Sequence, residues 1–152
     1  MNHWLMKTEP DECSIDDALA APKRLTPWTG VRNYQARNYL RDQMRIGDGV
    51  LFYHSSCPEP GIAGLAEVAS AAYADPSQFD RKSPYYDAKS QRAAPRWFCV
   101  DVRALQKTRL MPIAEMQAQA ALKGMLTLRP GNRLSITPVS ASEWKLICNR
   151  LR

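Results

Sequence analysis

The chain predicts an α+β fold, a small curled sheet or open barrel with helices at its periphery. Short apolar runs of strand character recur from end to end, at Trp4, Val50, Ile62, Trp97 and Leu134. The connections between them are both long and short. Capped helical patterns fill several of the gaps, and no repeat or low-complexity tract interrupts the order. A single domain spanning residues 1–152 is expected, with enough chain for one real core.

His3 to Lys7 reads as a short buried strand ended by Pro10. Ser14 is placed to cap a helix to Ala21, with Asp16 and Asp17 complementing the positive end of its dipole. Pro22 and Pro27 bracket a loop that delivers Trp28. A second helix is expected from Asn33 to about Met44. Ala36, Tyr39, Leu40 and Met44 share its inner side, while Tyr34, Asn38, Arg41 and Arg45 gather on another. After the turn Ile46–Gly49, the strand Val50–Tyr53 leads through the loop His54–Gly61 to a partner, Ile62–Val68. Asp75 to Pro95 reads as a long irregular excursion, a feature more often functional than idle in a compact domain. Arg96–Arg103 is a strand continuing to Lys107, Pro112–Lys123 a helix stopped by Gly124, and Arg133–Thr137 a final strand. Ser140 or Ser142 then caps a terminal helix reaching Ile147.

Composition excludes several classes. The apolar runs fall far short of a membrane span, and the first ten residues are no secretory signal. Cys13, Cys57, Cys99 and Cys148 are scattered, and with only two histidines in the chain neither a zinc site nor a disulfide framework is expected. The expectation is a reduced cytoplasmic protein, a monomer, without cofactor or metal. The net charge of +6 is unevenly spread. Residues 1–22 carry Lys7 against five acids, whereas residues 23–45 carry six bases against Asp42 alone. Residues 101–152 carry nine bases against three acids. Bunching of this kind fits a surface that faces phosphates.

One basic bunch overlaps the most unusual stretch, Trp28-Thr-Gly-Val-Arg-Asn-Tyr-Gln-Ala-Arg-Asn38. It combines an indole, a phenol, two guanidiniums and several carboxamides. Flat rings stack on bases, carboxamides read base edges and arginines hold phosphates. The same residues also suit a helix start, with Asn33 as N-cap, Trp28 as a half-buried anchor and the arginines as a solvated face.

Several segments together resemble the EVE domain family. They are Trp4-Leu-Met-Lys-Thr-Glu-Pro10, the stretch from Trp28 to Asn38, Gly47-Asp-x-Val-Leu-Phe-Tyr-His-Ser55, Pro60-Gly-Ile-Ala-Gly64, Asp75-Pro-x-Gln-Phe-Asp80, Pro95-Arg-Trp97 and Asn132-Arg-Leu-Ser135. They fall in order across nearly the whole chain. Thr8 stands where many members are expected to carry serine, which keeps the hydroxyl. The resemblance implies a PUA-like fold, a twisted open β-barrel with flanking helices, related to YTH domains. It also implies binding of nucleic acid that carries a modified base, on DNA or RNA.

For such a reader the expected base pocket has Trp28 as one wall, with Asn33, Tyr34 and Ser55 supplying hydrogen bonds. Pro60, Gly61 and Ile62 form a second, apolar wall, and Lys7 and Trp97 complete the set. Arg32, Arg37, Arg41 and Arg133 are the expected phosphate contacts. Extruding a base costs on the order of a few kcal/mol. Stacking returns roughly 1–3 kcal/mol, so phosphate contacts with their counterion release must supply much of the affinity. The modified base is expected to be a cytosine or an adenine.

Two other classes compete. Lys7, Thr8 and Glu9 form a suggestive trio for an amidohydrolase acting on a modified nucleoside. Neighbours on a strand point to opposite faces, which works against it, and no nucleophile elbow or Gly-rich phosphate loop is present. An adaptor using the basic face to hold an acidic protein is the third reading.

Overall fold

The computed structural model describes residues 1–152. Its centre is a curled six-stranded sheet built from β1 (His3–Thr8), β2 (Leu25–Pro27), β3 (Gly49–His54), β4 (Gly61–Val68), β7 (Asp101–Pro112) and β8 (Ile136–Val139). Their order is β2-β7-β4-β3-β1-β8. β1 runs parallel to β3, with Trp4 beside Val50 and Met6 beside Phe52, and every other pair is antiparallel. A separate two-stranded ribbon joins β5 (Tyr73–Ala74) to β6 (Phe98–Cys99).

Alternation along the strands sends side chains to two cores. Trp4, Met6, Val50 and Phe52 point to one, which also holds Ile15, Ala18, Trp28, Val31, Ala36 and Leu40. Leu5, Leu51, Tyr53, Ile62 and Met111 point to the other, covered by Met116, Leu122, Met125, Ile147 and Leu151. Both faces of the central strands are therefore buried. That is why β3 reads as a continuous apolar run rather than an alternating one.

The helices sit around this sheet: α1 (Pro10–Cys13), α2 (Ile15–Ala20), α3 (Tyr34–Asn38), α4 (Ile113–Gln117) and α5 (Ala141–Arg150). Ser14 caps α2 and Ser140 caps α5, each in a reciprocal capping box with Asp17 and Glu143. Asn33 caps α3, its side chain accepting from the Ala36 amide. The helical path then widens into a π-helix over Tyr39–Gln43, yet Ala36, Leu40 and Met44 face the core as their spacing predicts. No helix is long and apolar enough to cross a membrane.

Several expectations need correction. Pro10 does not merely end β1, since it opens α1, where a residue without an N–H costs nothing. Residues 25–27 form an edge strand rather than loop. β7 runs on to Pro112, passing an irregularity after Lys107 and pairing with β4 again at Met111 and Pro112, and α4 stops after five residues. The last strand lies at Ile136–Val139 and carries Pro138. A proline is tolerated there because β8 is a sheet edge.

Candidate functional site

A cleft of about 560 Å³ opens at one end of the curled sheet. That volume suits a single small ligand or one nucleotide base. The end of β1 and the start of α1 contribute Lys7, Thr8, Glu9, Glu12 and Cys13 to it. Residues 26–31 run past it from Thr26 through Trp28 to Val31. The β3–β4 loop adds Ser55 and Ser56, the long excursion adds Tyr85, and the approach to β8 adds Arg133 and Ser135.

Sheet pairing positions the first group. The Lys7 amide donates to the Ser135 carbonyl, and the Ser55 amide donates to the Thr8 carbonyl. This ties two of the walls to β1. Ser56 takes a left-handed backbone at φ 53°, which turns the loop back across the strand end. The Lys7 amino group lies 5.5 Å from the centroid of the Tyr53 ring. Burial, unopposed by any neighbouring carboxylate, lowers its pKa below the usual lysine value. Arg133 is exposed and forms no hydrogen bond or ion pair.

Trp28 borders the cleft but is not a free stacking face. It is only 6% exposed and belongs to the first core, edge-on to Phe52 at 5.5 Å. Its indole N–H has no protein partner, yet no buried side-chain polar atom in the chain is left unsatisfied. That N–H therefore reaches solvent, and the cleft is the opening beside it. What Trp28 offers is a donor and a ring edge more than an open plane.

Tyr85 is the aromatic that sequence reading passed over. Its ring lies against Gly30, where a Cβ would come within 2.8 Å of the ring carbons. Gly30 also has φ +85°, so both the turn and the close approach require glycine. The Tyr85 hydroxyl donates to Glu12 Oε1 at 2.8 Å, which raises the phenol pKa. The Arg32 guanidinium fixes the Tyr85 carbonyl through Nε at 3.1 Å and Nη2 at 2.7 Å.

Of the residues expected in a base pocket, Lys7, Trp28 and Ser55 border this cleft, and Arg133 does so among the expected phosphate contacts. The others lie elsewhere. Asn33 spends its side-chain oxygen capping α3. Tyr34 is 51% exposed and stacks on Trp97 at 4.8 Å, outside the cleft. Trp97 is buried, its indole N–H donating to Asp87. Ile62 is fully buried in the second core, because alternation turns it away from Trp28. Gly61 serves strand approach, since a Cβ there would meet the Met111 carbonyl of β7, and Pro60 leads into that pairing.

The arginines divide as sharply. Arg32 is a structural hub, ion-paired to fully buried Asp75 at 3.0 Å and bonded to Ser77 and two backbone carbonyls. Arg37 donates to the Arg96 carbonyl and lies over the Tyr34 ring. Arg41 pairs with Asp42 at the surface. No group of three or more histidine, cysteine or acidic side chains is arranged to hold a metal ion. All four cysteines are free thiols, and burial raises that of Cys13 beside the cleft.

A family model described as the EVE domain matches residues 2–150. Human thymocyte nuclear protein 1 is 43% identical over 163 aligned positions, which cover 96% of this chain and 72% of the human protein. A crystal structure of human THYN1 protein in complex with 5-methylcytosine-containing DNA matches with a TM-score of 0.94 at 41% identity, covering 100% of this chain and 98% of that one. A crystal structure of a Pseudomonas putida protein gives a TM-score of 0.92 at 44% identity, with 97% of each chain covered. This chain belongs to the EVE domain family.

Proposed function

We propose that this EVE domain is a nucleic-acid-binding module that reads a modified cytosine, taking the base into the cleft beside Trp28. One observation carries the reading. A relative solved with 5-methylcytosine-containing DNA matches the whole of this chain, and here the corresponding fold holds a cleft of base size. In this reading Lys7, Ser55 and the Trp28 N–H supply donors to the base. Tyr85 supplies the ring contact, and Arg133 holds a flanking phosphate. Asp42 partners Arg41 and Asp75 partners Arg32, so those two arginines contribute less to phosphate binding than their number suggests. The protein acts without a catalytic step, in a reducing compartment that holds nucleic acid, the cytoplasm in the reading from its thiols.

Anisotropy titration of short oligonucleotides carrying one central 5-methylcytosine or cytosine tests this. Trp28→Phe preserves most of the packing and deletes the N–H. The wild type prefers the methylated oligonucleotide, and the variant binds both oligonucleotides severalfold more weakly, because both bases lose the same donor. A wild type that binds both equally overturns the function. Unchanged affinity in the variant removes the Trp28 N–H from the contact set.

A second reading has one observation in its favour. Lys7, Thr8 and Glu9 all border the cleft despite their adjacency in sequence; β1 ends at Thr8, and Glu9 is the N-cap of α1. Against a nucleophilic role, the Thr8 hydroxyl donates to the Glu9 backbone carbonyl at 3.4 Å. Release of free acid from N-acylated cytidine, abolished in Thr8→Val, would establish an amidohydrolase; unchanged substrate that still binds supports the reader.

A further inference from the structure

A carboxylate in the binding cleft of a polyanion weakens binding unless it meets a donor. This cleft has two, Glu9 and Glu12, against two cations, Lys7 and Arg133, so its formal charge sums to zero. Glu9 is the N-cap of α1 and is exposed. Glu12 is different. Its Oε1 accepts from the Tyr85 hydroxyl at 2.8 Å, and Tyr85 is itself fixed against Gly30 and by Arg32. The other oxygen, Oε2, has no partner, and no cation lies within ion-pair reach of either. The fold therefore orients one acceptor at the cleft and leaves half of it unused.

The ligand chemistry calls for such a group. 5-Methylcytosine and thymine carry the same ring methyl and differ along the base-pairing edge, at N3 and at position 4, where cytosine presents an amine donor and thymine a carbonyl acceptor. A contact that senses only the methyl cannot separate them. An anchored carboxylate can, because it accepts from the amine and repels the carbonyl.

We propose that Glu12, oriented by Tyr85, accepts the exocyclic amine of the bound cytosine and so excludes thymine. This rests on the base-reading function above. Beyond its ring contact, Tyr85 positions the carboxylate through its hydroxyl, and Glu12 sets specificity. A charge-assisted hydrogen bond of this kind is worth roughly ten- to a hundredfold in selectivity.

The test titrates labelled oligonucleotides with a central 5-methylcytosine, cytosine or thymine against wild type, Glu12→Gln and Tyr85→Phe. Glu12 is exposed, so Glu12→Gln leaves folding intact. The wild type favours 5-methylcytosine over thymine by at least about tenfold. Glu12→Gln collapses that ratio to within about threefold, because a carboxamide can donate to the thymine carbonyl as readily as accept from the amine. It does so by strengthening thymine binding, which a merely structural residue would not do. Tyr85→Phe gives an intermediate ratio, and both variants keep the preference of 5-methylcytosine over cytosine. A Glu12→Gln protein that retains the full wild-type ratio against thymine overturns the assignment of Glu12 while the reader function stands. A wild type that does not distinguish 5-methylcytosine from cytosine removes the function and this inference with it.

Discussion

Replacing Asp75 tests whether the cleft is built by one buried carboxylate. Asp75 is fully buried and accepts four hydrogen bonds. Oδ2 takes the Gly30 amide at 2.8 Å and Arg32 Nη1 at 3.0 Å. Oδ1 takes the Ser77 amide at 2.8 Å and the Ser77 hydroxyl at 2.6 Å. Asp75→Ala leaves the Arg32 guanidinium, only 22% exposed, without its counter-charge and leaves two amides unpaired. Breaking a buried pair from one side costs about 3–5 kcal/mol, a large share of the roughly 5–15 kcal/mol that holds a typical domain. With a urea slope of about 2 kcal/mol per M, the unfolding midpoint falls by about 1.5 M or more. Asp75→Asn keeps the shape but turns an amide donor toward groups that are already donors, and it costs roughly 2–3 kcal/mol. Because Gly30 and Arg32 are what seat Tyr85, both variants also weaken oligonucleotide binding under conditions where they remain folded. Urea melts followed by tryptophan fluorescence read the first effect, and anisotropy the second. A midpoint for Asp75→Ala within about 0.2 M of wild type would refute the reasoning.

Arg133→Ala leaves the melt unchanged and lowers the slope of log affinity against log salt by about 1, whereas Arg32→Ala destabilises the fold, as paired melts and salt titrations show. The Glu115 carboxyl, bonded by Arg109 and then Arg150, is pulled from its ordinary 4.5 down to about 2. Its contribution is complete above the unfolded value and lost as pH falls toward the folded one. Glu115→Gln is thus less stable than wild type at pH 7, by a margin that shrinks between about pH 4.5 and 2 in urea melts across that range. Lys7→Met removes a cation whose pKa is lowered by burial alone. The unfolded chain holds that proton more tightly, so wild-type stability rises as pH approaches the ordinary lysine value and the variant's does not. The same variant melts at higher urea at neutral pH and binds oligonucleotides more weakly.

Local chemistry made much of the fold legible. The capping serines at 14 and 140 and the cap at Asn33 sit where side-chain oxygens meet free helix amides, a pattern confined to a few residues. The strands around Leu5, Leu51 and Ile62 are legible as short runs of large apolar residues. What sequence could not supply was which face each strand turned to the site. Ile62 follows Gly61 directly, yet strand alternation buries it in the second core, away from Trp28. The arginines show a related limit. Arg32 and Arg133 are alike as letters, but one meets Asp75 from 43 residues away and the other meets nothing. Tyr85 lay in a stretch whose length alone marked it as functional, and its role depends on contacts to Gly30 and Glu12, 55 and 73 residues distant in the chain, that no local pattern encodes.

The excursion that carries Tyr85 is held by side chains more than by backbone pairing. The fully buried Gln78 amide group donates to the Asp75 and Trp97 carbonyls and accepts from Ser90 and the Trp97 amide. Lys7 and Ser55, by contrast, ride on the ladder between β1 and β3. In deuterated solvent the amides around residues 80–95 should exchange long before those of β1 and β3, since no continuous ladder protects them. One jaw of the cleft is thus woven into the sheet, while the other hangs on the side chains of Gln78, Arg32 and Glu12, so loss of any one of these is expected to loosen the Tyr85 jaw and leave the Lys7 jaw in place.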